Sequence, residues 1–174
     1  VIAFLVRHGD AEPTGPGGED ASRALTGRGF AQAEALARFL PTACARIDRV
    51  LTSPLRRARE TADPIAREVG LTPVEATFLA PGAGPEETVG AVAALGVETA
   101  VLVGHAPDLG LAITWIVSGD GRTETPLGKG GVACVEFDRP DRQPAGVLRW
   151  LLPADLVMRL ARRGGWNPER PGGA

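Results

Sequence analysis

The stretch Ile2-Ala3-Phe4-Leu5-Val6-Arg7-His8-Gly9 decides the fold. A short unbroken apolar run of this length reads as a strand buried on both faces, here over residues 2–7. It ends in an arginine and a histidine. A second run, Ala100-Val101-Leu102-Val103-Gly104, leads in the same way into His105. The 174 residues include only two histidines, and both stand just past the carboxyl end of a predicted strand. In open α/β sheets that edge is where ligands bind. Two imidazoles converging there, with arginines nearby, point to chemistry on a phosphoryl group.

Working outward, residues 10–24 form a loop rich in Gly, Pro and acids. A helix follows from about Gly27 to Leu40 with Thr26 as N-cap. Its apolar positions Phe30, Ala33, Leu36, Ala37 and Leu40 share one face. Arg49–Thr52 reads as a short strand. Ser53-Pro54 then opens a second helix, with Ser as cap and Pro in the first turn. Leu55, Ala58, Ala62, Ile65, Ala66 and Val69 form its buried face, and Pro64 should kink or split it. Further strands are expected at 74–79 and 99–103, with helices over Glu86–Leu95 and from Pro107 to Val117. Residues 118–131 are a second Gly-rich loop. Val132–Phe137 and Val147–Leu152 alternate around Arg139–Pro144 and read as an edge hairpin. A last helix covers Ala154–Arg163. The expected architecture is a three-layer α/β/α fold with a largely parallel central sheet and an antiparallel edge hairpin. One domain over residues 1–163 is expected, with a flexible tail over 164–174.

Composition narrows the function. Hydrophobic residues make up 44% and the net charge is −2, which fits neither a disordered chain nor a nucleic-acid coat. With 19 basic against 21 acidic residues, an anion site must be built locally and not by a global field. No apolar run is long enough to span a bilayer, and the N-terminal run does not read as a signal peptide. Cys44 and Cys134 are isolated, with no CxxC spacing. They argue against a zinc site and fit a reducing cytoplasm. A cytoplasmic location is expected, with no nucleic-acid or membrane partner. The sequence does not reveal an oligomeric state.

Phosphoryl transfer needs a nucleophile and fixed positive charge on the equatorial oxygens. A neutral imidazole near pH 7 has a free lone pair, so His8 is the candidate nucleophile. Arg7 offers a planar fork that matches phosphate oxygens. Gly9, lacking a side chain, would let backbone approach a phosphate. A third element is Leu51-Thr52-Ser53-Pro54-Leu55-Arg56-Arg57-Ala58-Arg59-Glu60-Thr61, a strand end opening a helix. A helix N-terminus favours anions, and arginines there strengthen it. Periodicity does not choose among Arg56, Arg57 and Arg59, since none falls on the predicted buried face. Asp10 and Glu12 read as loop carboxylates, Lys129 as part of a turn, and Trp115, Trp150 and Cys134 as core.

Arg7-His8-Gly9, then Ser53-Pro54-x-x-Arg57-Ala58-x-x-Thr61, then Gly104-His105, resemble the histidine phosphatase (phosphoglycerate mutase-like) superfamily over roughly residues 1–160. The short length, Asp10-Ala11 after the first motif, and Arg23-Ala24-Leu25-Thr26-x-x-Gly29 are most similar to its SixA-type phosphohistidine phosphatases. The resemblance implies that His8 forms a phosphohistidine intermediate while Arg7, Arg57 and His105 bind the transferred group. It selects Arg57 among the three neighbouring arginines. It implies Gly9, Arg23 and Ala106 as substrate contacts, with Arg23 lining the entrance, and no metal or organic cofactor. Many larger members carry a glutamate general acid in an insertion after the second helix. Here that region is short, and none of Glu75, Glu86 and Glu87 is assigned as donor. An absent acid leans away from a mutase and toward a labile substrate such as phosphohistidine on a protein partner. The alternatives are a phosphatase of small phosphoesters and a non-catalytic phosphate-binding module.

Overall fold

Residues in a strand point alternately to the two faces of a sheet, and the apolar strands here are divided accordingly. In the computed structural model, which describes residues 1–138 and 145–163, β1 (Ile2–Arg7), β4 (Thr99–Gly104) and β5 (Val132–Phe137) are covered on both faces. Phe4, Val6, Val50, Val101, Val103, Val132 and Cys134 pack toward one helical layer. That layer consists of α1 (Gly27–Ala43), α2 (Arg56–Glu68) and α5 (Ala154–Arg162). Ala3, Leu5, Leu51, Ala100, Leu102, Ala133, Val135 and Phe137 pack toward the other, formed by α3 (Pro85–Ala94) and α4 (Asp108–Ser118). The result is the expected three-layer α/β/α arrangement.

With β2 (Arg49–Thr52), β3 (Val74–Glu75) and β6 (Gly146–Leu152), the sheet has six strands in the order β3-β2-β4-β1-β5-β6. The first four are mutually parallel, whereas β5 runs antiparallel to β1 and β6 antiparallel to β5. The parallel register pairs Arg7 with Gly104 and Thr52 with Val103. Three neighbouring strands therefore deliver His8, His105 and Ser53 to one edge of the sheet. The backbone stitches them together there: His8 N–H donates to Gly104 O at 3.1 Å and Ser53 N–H to Val103 O at 2.9 Å.

Several local expectations change. Strand β3 is only Val74–Glu75, followed by a 3₁₀ turn at Thr77–Leu79 that buries Leu79. Helix α1 continues past Leu40 and through Pro41 to Ala43. Thr26 does cap it, accepting Gly29 N–H at 3.1 Å. Phe30 is 46% exposed, because Gly29 takes the inward position in that turn and leaves Phe30 facing solvent. Helix α2 is one unbroken segment across Pro64, so the proline does not split it. A helix-interior proline costs about 3 kcal/mol in isolation. Here its ring and the adjacent Ile65 and Ala66 are all buried, and that packing outweighs the lost hydrogen bond. The 139–144 turn and the 164–174 tail lie outside the described residues.

Candidate active site

At the end of β1, His8 is 5% exposed and its ring is fixed from one side. Its Nδ1 lies 2.7 Å from Gly9 O. A carbonyl only accepts, so Nδ1 carries the proton. The lone pair of the neutral ring is then on Nε2, which faces Arg57 Nε–H at 3.2 Å. Burial pushes the His8 pKa from 6.5 down to about 4; Arg57, Arg7 and Lys129 push the same way, and the Gly9 carbonyl opposes them. His105 stands beside it, with ring centroids 5.0 Å apart. Its pKa is pushed down to about 3, by burial first and then by His8 and Arg57. Both rings are neutral at pH 7. His105 Nε2 sits 2.8 Å from Ser53 Oγ.

Ser53 is therefore not the cap of α2, as its place before proline suggested. Its hydroxyl meets His105 and accepts Leu55 N–H at 3.3 Å, and the helix begins at Arg56 with Leu55 as cap. Arg56 and Arg59 are exposed and pair with Glu60 and Glu75. Arg57, in contrast to the periodicity reading, is 4% exposed. Its guanidinium reaches over the sheet edge to His8 and to Asp20, so polar partners replace the water that burial removes. Thr61, one turn on, accepts Gly9 N–H at 3.0 Å and donates to Arg57 O at 2.7 Å. It ties α2 to the turn after β1.

A cavity of about 240 Å³ opens over these groups, lined by Arg7, His8, Arg23, Arg57, His105, Ala106 and Lys129 together with Asp20 and Pro81. All the sequence-nominated residues except Gly9 are on its wall. Gly9 has another duty. Its N–H is engaged by Thr61, and a Cβ added there would lie 2.7 Å from Gly29 O. Its bare Cα admits the first turn of α1. Arg7 Nη1 donates to Leu127 O at 2.9 Å, while its Nε is buried with no hydrogen-bond partner among the described residues. Arg23 donates from Nε to Glu12 O at 2.6 Å and from Nη1 to Asp20 Oδ1 at 2.8 Å. Lys129 Nζ pairs with Asp10 at 2.8 Å, and its loop is anchored by Gly130 N–H, which donates to Arg7 O and His8 O. Gly130 has φ of 69°, a backbone conformation glycine adopts without strain.

Four cations and one carboxylate, Asp20, thus line a cavity in a chain of net charge −2. The positive charge at this cavity is gathered locally and not by a global field. Among the described residues no cluster of three or more His, Cys, Asp or Glu side chains is placed to hold a metal ion, and no helix is long and apolar enough to cross a membrane. A larger open depression of about 510 Å³ beside α2 and β3 holds neither histidine. Sequence reasoning missed Asp20, Ser53 and Thr61 as parts of the site. Ser53 and Thr61 carried a signal, since both belong to the second motif. Asp20 carried none beyond being acidic.

The family model for the histidine phosphatase superfamily, branch 1, matches residues 3–79. An uncharacterized protein of Picosynechococcus is 35% identical over 136 residues, covering 74% of this chain and 81% of that one. The phosphohistidine phosphatase SixA of Escherichia coli is 29% identical over 166 residues, covering 91% and 98% of the two chains. Among solved structures, the protein histidine phosphatase SixA complexed with tungstate superposes with a TM-score of 0.77 at 23% identity. It covers 90% of this chain and 99% of that one, a likeness of fold. With the two histidines and the arginine of the three motifs brought together at one sheet edge, the chain belongs to the histidine phosphatase superfamily and is similar to its SixA-type members.

Proposed function

We propose that the chain is a metal-independent phosphatase in which His8 Nε2 attacks phosphorus and is transiently phosphorylated. Its favoured substrate is a phosphohistidine on a protein partner. The observation that carries this reading is the state of His8: a neutral ring, protonated on Nδ1, its Nε2 lone pair facing Arg57 on the wall of a cavity lined by cations. Arg7, with an unengaged buried donor, and Arg57 hold the phosphoryl oxygens. His105, positioned by Ser53, contributes a ring N–H to the charge that builds up in the transition state. Water then hydrolyses phospho-His8. The name of the Escherichia coli relative and the tungstate bound by the solved SixA structure support a chemistry of phosphoryl-like oxyanions. The substrate class follows from the leaving group. An imidazole departs far more readily than an alkoxide, so a phosphoramidate is the substrate that asks least of the site, and none of Glu75, Glu86 and Glu87 lines the cavity.

The test is phosphate release from a phosphohistidine protein and from p-nitrophenyl phosphate by wild type and His8→Ala. The reading expects turnover of phosphohistidine that falls about 10³-fold or more in the variant. It also expects ³²P trapped on the wild-type chain by acid-free quenching. Equal rates in the two proteins overturn the nucleophile, and tight phosphate binding without turnover points instead to a binding module.

A further inference from the structure

Asp20 is the only carboxylate lining the cavity among the described residues. Its Oδ2 accepts from Arg57 Nη2 at 3.0 Å, its Oδ1 from Arg23 Nη1 at 2.8 Å, and its main-chain carbonyl from Arg57 Nη1 at 2.8 Å. Arg57 Nε meanwhile donates to His8 Nε2. Every nitrogen of Arg57 is thus engaged, and the lone pair meant for phosphorus is covered. A phosphoryl group reaching His8 must take Arg57 over from Asp20. Charge favours the exchange, because phosphoryl oxygens match the guanidinium fork better than one carboxylate oxygen and a carbonyl.

Depth matters as well. His8 and Arg57 are 5% and 4% exposed and form the floor, while the Asp20 side chain is 60% exposed at the mouth. In-line displacement places the leaving atom opposite the attacking nitrogen. The leaving atom therefore faces the mouth, where Asp20 stands on the exposed turn Asp20–Ser22.

Resting on the phosphatase reading above, we propose that Asp20 is the proton carrier of the site, displaced from Arg57 by the phosphoryl group and delivering a proton to the leaving nitrogen or oxygen. In the free enzyme Arg23 first, then Arg57, hold its carboxyl below the usual range, so it rests ionised. Loss of Arg57 and the arrival of the substrate's negative charge weaken that bias and leave only Arg23 to oppose protonation. The substrate enters as a monoanion and its proton passes to Asp20. His8 Nε2 then bonds to phosphorus as the bond to the leaving atom breaks. The electron pair stays with the leaving atom, which takes the proton. In the second half Asp20 takes a proton from water as the water oxygen bonds to phosphorus. The P–N bond breaks and returns its pair to His8. The absent glutamate is thereby replaced by a residue on the opposite side of the motif, in the loop following β1.

The test measures kcat/KM for phenyl phosphate, p-nitrophenyl phosphate and phosphoimidazole with wild type, Asp20→Asn, Asp20→Glu and His8→Ala. A lost proton donor hurts poor leaving groups most. Asp20→Asn is expected to slow phenyl phosphate about 10²-fold or more, and p-nitrophenyl phosphate far less. Asp20→Glu should recover part of that ratio. Inorganic phosphate should inhibit Asp20→Asn more strongly than wild type, since no carboxylate competes for Arg57. An equal fall for both aryl phosphates, or no fall, overturns the assignment. So does a wild type that cleaves phosphoimidazole but not phenyl phosphate. His8→Ala is scored separately: full activity there refutes the nucleophile and not the proton carrier.

Discussion

Two buried neutral histidines make stability depend on pH in a way that can be worked out in advance. The His8 pKa falls from 6.5 to about 4 on folding, chiefly through burial. Between those values the unfolded chain binds a proton that the folded chain refuses, so stability rises with pH across the window and is level above it. Acidification from pH 7 to 4.5 then removes about 2 kcal/mol through His8 alone, at about 1.4 kcal/mol per pH unit. His105 titrates lower still and is held down partly by His8, so the pair resists taking two protons. Urea unfolding of wild type and His8→Ala at pH 7, 6, 5 and 4.5 isolates the effect. Carboxylates titrate in both proteins and cancel in the difference, and the cavity left by alanine does not vary with pH. The stability of wild type relative to the variant should drop by about 2 kcal/mol over that range. A difference constant to within about 0.5 kcal/mol would refute the neutral, buried state of His8.

Ser53→Ala removes the hydroxyl that meets His105 Nε2 and Leu55 N–H; it should cost about 1 kcal/mol in urea unfolding and lower kcat more than it changes KM. Arg57→Lys replaces a fork with a point charge and should reduce kcat about 10²-fold, while circular dichroism stays that of the native fold. Gly29→Ala would bring a Cβ within 2.0 Å of Asp10 O, backbone against which nothing flexible can yield. It should lower stability by about 1–3 kcal/mol, seen as a lower Tm, whereas Arg59→Ala on the exposed side of α2 should shift it little.

What could be read from the chain depended on how far each residue's determinants lie along it. The runs before His8 and His105 are legible because a strand buried on both faces must be apolar throughout, and parallel pairing then brings their ends together. The Thr26 cap is legible because it is settled within four residues. Arg57 looked solvent-facing because helical periodicity counts apolar residues, whereas its burial is compensated by His8 and Asp20, 49 and 37 positions away. Asp20 was hidden for the same reason: its partners are chosen by the path of a 15-residue loop with little periodic signal. Pro64 shows the reverse: the local rule that a proline splits a helix is overruled by the packing of α2 against α1 and the sheet.

The backbone bond from His8 N–H to Gly104 O has a consequence in time. It places His8, the proposed nucleophile, on the innermost pair of strands, which are expected to open only with the whole sheet. Asp20 is held by the Arg23 and Arg57 guanidiniums and one turn bond from Arg23 N–H, on a turn with no buried residue. The strand-borne part of the site is thus expected to open no sooner than the sheet, and the Asp20 turn at lower cost. Heating should then abolish catalysis at the same temperature as the fold, with no earlier melting of the reactive centre.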